Sequence, residues 1–260
     1  MKTLIRRLSS VLNDRKSGST AIALNFLNEL KRIPERDSSY GLFAFDLMAT
    51  KRKEMSVLVN LGKTGSGMIE KGYSLNYVCD YLINMLTEGT LKSSLYATKK
   101  LSGYVSFLTL SDSEQIRTLF LQMNKNIRVF IFKTKFQLEG CNLGKFISKI
   151  GIKHYFIGVQ KLNEVLDKVE CLVTGSDAVM PHIFSNRSGT MFLVTRMFLI
   201  NKPSYVLTTR LKFTNNQYYT FFDSKNFDLI PNRFVTTFFS DIGSINGTSI
   251  YKALTTQYAR

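Results

Sequence analysis

The hydrophobic period of the chain changes once, around Leu101, and nothing else in the sequence restricts its fold as much. Before that point apolar residues recur at helical spacing. Leu4, Leu8, Val11 and Leu12 share one face, as do Ala23, Phe26, Leu27, Leu30 and Ile33, and then Leu75, Val78, Cys79, Leu82, Ile83 and Leu86. Ser17, Ser19 or Thr20 offers a cap for the second of these segments, and Pro34 follows its end. Ser38 or Ser39 opens a further helix through Met48. Beyond Leu101 short apolar runs alternate with helical patterns. Strands are predicted at Tyr104–Thr109, Ile127–Phe132, Lys153–Ile157, Tyr205–Thr208 and Arg233–Phe239, with another at Cys171. Between them, Ile116, Leu119, Phe120 and Met123 form a helical face opened by a Ser111/Glu114 capping box. Helices are also predicted over Leu143–Ile150 and Leu162–Val169. Strands alternating with helices of about ten residues imply βαβ units and a parallel sheet. The predicted class is therefore α/β: an N-terminal helical domain over 1–98, then a Rossmann-like, mostly parallel sheet domain over 99–260.

Composition narrows the function. The longest apolar stretch, Met191–Ile200, is interrupted by Arg196 and is too short to span a bilayer. The basic, amphipathic start MKTLIRRLSSVLN suits a mitochondrial presequence superficially, but it leads straight into the next element and is read as an ordinary first helix. Cys79, Cys141 and Cys171 are odd in number and far apart, which fits a reducing compartment, with cytoplasm as the default. Neither His154 nor His182 has a partner at zinc spacing, so no metal site is expected. Residues 1–90 hold 13 basic and 9 acidic side chains and residues 91–260 hold 22 and 10, so the second part carries +12 of the +16 net charge. That balance favours acidic or phosphorylated partners, or RNA. The basic residues are mostly scattered, with one triplet at Lys51-Arg52-Lys53, and a solvated face accounts for most of them.

The candidate site lies in residues 170–200, read as a buried strand, an acidic turn, a loop and an apolar helix. Ligands of open α/β sheets bind at such carboxyl strand ends. Asp177 would stand just past the strand, either in a polar role or capping turn amides. Asn186 and Arg187 precede the helix start at Gly189-Thr190, whose free N–H groups suit an anion. Lys212 follows the next strand and could face the same crevice or solvent. The stretch Gly62–Gly67 has Val57 where a phosphate loop needs its first glycine, and is read as an interhelical turn. No nucleophile, base and orienting group come together in the sequence, which disfavours a hydrolase.

These segments also carry a family resemblance. GSDAV at 175–179 followed by Asn186-Arg187-Ser188-Gly189-Thr190 resembles the strand–aspartate–loop–NKIGT stretch of the alpha/beta/delta regulatory-subunit family of eukaryotic translation initiation factor 2B. Ser204–Leu207 with Lys212-Phe213, Phe227–Pro231 and FVTTFFSDIG at 234–243 follow in the family's order. Leu138-Glu139-Gly140 is similar to its LEG, and Thr109–Ser113 stands where a THGYS-like turn belongs. The ending FFSDIGSINGTSIYKAL and Ser17-Gly18-Ser19 look most like a beta subunit. The resemblance implies a non-catalytic regulatory subunit of the exchange factor for translation initiation factor 2. Its implied partners are related regulatory subunits, catalytic subunits and the phosphorylated or unphosphorylated factor itself, with no cofactor, membrane or direct nucleic-acid contact. Sugar-phosphate isomerases for ribose 1,5-bisphosphate or methylthioribose 1-phosphate share this fold and pair a cysteine with the GSDAV aspartate. Here Ser111 stands in the cysteine's place and Pro181-His182-Ile183 replace a glycine turn, so Asp177, Asn186, Gly189, Thr190 and Lys212 are expected to be a vestigial pocket or to order the loop. An isomerase is the alternative, and an RNA-binding protein the second.

Overall fold

A computed structural model describes residues 2–14, 16–32, 38–110, 112–133, 139–215 and 225–250. Five helices come first: α1 (Lys2–Leu12), α2 (Ser19–Lys31), α3 (Ser38–Lys51), α4 (Ser56–Glu70) and α5 (Leu75–Leu101). The Gly62–Gly67 stretch lies inside α4 rather than in a turn. Two of its glycines allow close approach: a Cβ on Gly62 would lie 2.5 Å from the Phe45 carbonyl oxygen, and one on Gly65 would lie 2.4 Å from the Phe45 ring. Helix propensity loses about 1 kcal/mol per glycine and α3 is seated against α4 in exchange. In the basic triplet, Arg52 is buried and donates to the carbonyl oxygens of Leu12 at 3.0 Å and Asp14 at 2.8 Å, and it also pairs with Glu54. It ties the end of α1 to α3.

The second part alternates as predicted: β1 (Ser106–Thr109), α6 (Glu114–Gln122), β2 (Arg128–Phe132), α7 (Glu139–Lys149), β3 (Lys153–Ile157), α8 (Leu162–Leu166) and β4 (Cys171–Thr174). The chain then makes β5 (Ala178–Val179), β6 (Ile183–Arg187), α9 (Thr190–Leu199), β7 (Ser204–Leu207), β8 (Phe227–Pro231), β9 (Thr237–Ser240) and β10 (Gly243–Asn246). One seven-stranded sheet has the order β10-β9-β7-β4-β1-β2-β3, parallel except at β10. The cap of α6 is Ser113, whose Oγ accepts from Ile116 N, while Ser111 lies outside the described residues. The strand expected over Arg233–Phe239 begins later, because Asn232–Phe234 forms a 3-10 turn.

Residues 183–187, read as loop, form the middle strand of a second, antiparallel sheet of order β5-β6-β8. Its sequence IFSNR lacks a run of apolar residues, yet Ser185 and Asn186 are both buried. One apolar core fills the helical part and reaches Leu211 and Phe227, and two others cover the two faces of the large sheet. Among the described residues no helix is long and apolar enough to cross a membrane.

Candidate functional site

After Thr174 the chain leaves the sheet, and Asp177 is fixed by its backbone: its N–H donates to Ser185 O at 2.8 Å. Helix α4 pins this turn from the other side. Ser56 Oγ lies 2.9 Å from Asp177 O and 2.8 Å from Lys212 O, sharing its proton between the two carbonyls. Asn60 Nδ2 donates to Leu211 O and Phe213 O at 2.8 and 3.0 Å. The helical part thereby places the Lys212 turn against the Asp177 turn. Lys212, for which solvent exposure is the ordinary outcome, is 2% exposed, and its Nζ donates to Ser176 O at 2.6 Å. Burial pulls its pKa down from 10.5 to about 8, and the Asp177 charge opposes that shift. Among the described residues no group donates a hydrogen bond to the Asp177 carboxylate; the turn is held instead by the Asp177 N–H and by Ser56 Oγ and Lys212 Nζ on its carbonyls.

Asp177, Asn186 and Lys212 meet at one cavity of about 220 Å³, at the carboxyl end of the large sheet. Gly189 and Thr190 do not line it. Thr190 stands behind, its Oγ1 accepting from Asn186 Nδ2 at 3.0 Å and donating to Arg187 O at 2.6 Å. The anion expected at the 189–190 helix start is the protein's own: Asp228 Oδ2 accepts from Gly189 N at 2.8 Å and Met191 N at 2.9 Å. That start is closed to a ligand.

The far wall of the cavity was missed by the sequence reading as a site. It is the start of α2, Ser17–Ala21, with Asp112 and Arg117 beside it. Helix α2 begins after Gly18 with no side-chain cap, and Ser19 Oγ is buried with no partner among the described residues. Arg117 is bound in two places by Asp112, Nε to Oδ1 at 2.6 Å and Nη2 to Oδ2 at 2.9 Å, which raises its pKa further. Arg187 reaches Ser17 O at 3.3 Å and lies over the Phe227 ring. The cavity thus offers an open helix start, one unspent hydroxyl, a buried amine and a carboxylate. Its net character suits a small anion with a polar, hydroxylated body. The only sequence signal for the α2 wall was Ser17-Gly18-Ser19 before a helical stripe, and Arg117 carried none.

No family model matches the sequence, and no curated protein matches it. Solved structures do match in fold. A translation initiation factor eIF-2B from Pyrococcus horikoshii OT3 superposes with a TM-score of 0.80 at 15% identity, over 95% of this chain and 98% of that one. A tetrameric eIF2B-beta2-delta2 complex from C. thermophilum gives 0.69 at 13% identity, covering 97% of this chain and 94% of that one. A 5-methylthioribose 1-phosphate isomerase from P. horikoshii OT3 also gives 0.69, at 14% identity, covering 98% and 88%. At such identities the fold is what is shared: a helical region followed by the mostly parallel seven-stranded sheet.

Proposed function

We propose that the chain is a regulatory subunit of a translation initiation factor 2B-type exchange complex, with a helical domain over 1–98 and an α/β domain over 99–260. It assembles with related and catalytic subunits in the cytoplasm and senses initiation factor 2, phosphorylated or not, without chemistry of its own. The observation that carries this reading is the agreement in fold along nearly the whole chain with solved factor 2B proteins. Partly bare apolar side chains along α9 and just after it support it, since Phe192, Phe198 and Leu199 of the helix and Ile200 beyond its end are exposed, with Leu199 at 67%. Large apolar side chains grouped on one helix mark a contact surface. The ending at 238–254 makes beta the preferred subunit type, although residues 251–254 lie outside the described residues. Affinity purification of the tagged chain should recover related subunits and initiation factor 2. Recovery of the chain alone overturns the proposal.

A second reading rests on the cavity. A carboxylate with no internal donor, beside a buried amine and an open helix start, is equipment for moving a proton on a phosphorylated sugar. The cysteine that resemblance to the isomerases pairs with this aspartate is replaced by Ser111, outside the described residues, so this reading rests on Asp177 alone. Turnover of 5-methylthioribose 1-phosphate by the purified chain, lost in Asp177→Asn, would establish it over the regulatory reading.

A further inference from the structure

The large sheet ends at β3, and among the described residues no strand pairs with its outer side. In the parallel ladder with β2, Lys133 N donates to Ile157 O at 2.8 Å, so Lys153, Tyr155 and Ile157 direct their backbone groups inward. Alternation then turns the N–H and C=O groups of His154 and Phe156 outward. Among the described residues none of these four groups is hydrogen-bonded. The side chains beside them are large and partly bare: Tyr155 stacks on Phe130 with centroids 5.2 Å apart, and His154 meets Phe156 edge-on at 5.1 Å. Lysines cover the rings, Lys133 Nζ lying 3.7 Å from the Phe156 centroid and Lys153 Nζ 5.7 Å from that of Tyr155. These amines sit over the faces of the rings rather than in the ladder of the edge.

Charge selects what can pair with this edge. From residue 140 to residue 163 the sequence holds Lys145, Lys149, Lys153, Lys161 and His154 but no aspartate or glutamate, and β2 adds Arg128 opposite Lys153. Two copies of so basic an edge repel each other, which disfavours pairing of β3 with β3. Stacking of RNA bases is also disfavoured, because the ring faces already carry Phe130 and the two lysines.

We propose that β3 is a docking edge for an extended acidic peptide segment of a partner protein, which adds to the sheet as an eighth strand through His154 and Phe156. Lys133, over Phe156, and Lys153, over Tyr155, stand on opposite faces of the sheet, so carboxylates from both faces of that segment lie beside them. The edge shares no residue with the lining of the α2 cavity, and the proposal does not depend on the regulatory reading.

The test titrates the full chain with a blocked seven-residue valine peptide carrying two glutamates about three residues apart, one on each face of the added strand, read by amide hydrogen exchange. Protection should appear at the His154 and Phe156 amides. The double variant Lys133→Glu/Lys153→Glu, which touches no core side chain, should bind roughly tenfold more weakly. His154→Pro, which removes one outward N–H, should abolish the new protection; its folding is checked by circular dichroism. Three results overturn the proposal: no protection at these amides, undiminished binding by the charge-reversed variant, or protection by a homopolymeric RNA but not by the peptide. Failure here leaves subunit recovery untouched, so the two proposals fall separately.

Discussion

Helices α2 and α9 both start at a glycine, and they treat their free N–H groups in opposite ways. At α9 the start is satisfied from within: Gly189 takes a φ of 97° and Asp228 accepts from Gly189 N and Met191 N. At α2 Gly18 has an ordinary φ of −71°, no side chain caps the helix, and Ser19, which lines the cavity, has a buried Oγ with no partner among the described residues. A helix start carries about half a positive charge whichever helix it belongs to. What makes one a site is whether the protein has already spent it. The helix that the sequence marked for an anion is the one whose anion is built in, and the open one stands across the cavity.

Lys212 offers the largest effect, because it adds a buried amine to the open side of that comparison. Burial lowers its pKa to about 8 from 10.5, which corresponds to about 3 kcal/mol. Below about pH 8 the amine is charged in both folded and unfolded chains, and the cost of burying it is fully present. Between about pH 8 and 10.5 the unfolded chain holds the extra proton, so stability rises with pH. Lys212→Met should lack that rise. Urea unfolding of both proteins on either side of the window should therefore show their difference changing by about 3 kcal/mol, and parallel curves would show that the amine is not desolvated.

The closed start should respond to loss of its anion. Asp228→Asn removes a charge from two N–H donors and should cost about 2 kcal/mol in chemical denaturation, least at high salt. An effect below about 0.5 kcal/mol would mean that water serves the α9 start equally well. The two glycines come next. Gly189→Ala forces a side chain into left-handed backbone and should cost about 1 kcal/mol, whereas Gly18→Ala, whose Cβ would sit 3.7 Å from Asp112 O, should stay within about 0.5 kcal/mol. Equal costs would remove the distinction between the two starts.

The alternation of strands and helices was legible because each element has a strong local period, and Lys153–Ile157 runs as predicted. The turn that holds Asp177 was legible for the same reason, as the end of an apolar run. What escaped was set by distant partners. Helix α4 looked broken because five of its residues are glycine or serine, and only the facing Phe45 and Ala49 show why Gly62 and Gly65 are useful. Strand β6 looked like loop because it has no apolar run and its ladder partner β8 comes far along the chain, Asn186 standing opposite Asp228. Asp228, which closes the α9 start, comes 39 residues after Gly189 and has no local signature. Lys212 is buried through α4 contacts more than 150 residues away in sequence, which no window on the sequence contains.

The smallest change probes the open start most directly. Ser19→Ala deletes a buried hydroxyl that has no partner among the described residues, so in phosphate-free buffer the variant should be as stable as the parent, within about 0.5 kcal/mol. An anion at the α2 start would use that hydroxyl together with the free N–H groups, and it would stabilise the folded chain by mass action. Inorganic phosphate should therefore raise the melting temperature of the parent and raise that of Ser19→Ala less, with severalfold weaker apparent binding. Asp228→Asn should leave the phosphate response unchanged, because its helix start lies behind Asn186 and outside the cavity. A phosphate response lost in Asp228→Asn but kept in Ser19→Ala would reverse the assignment and return the anion to α9.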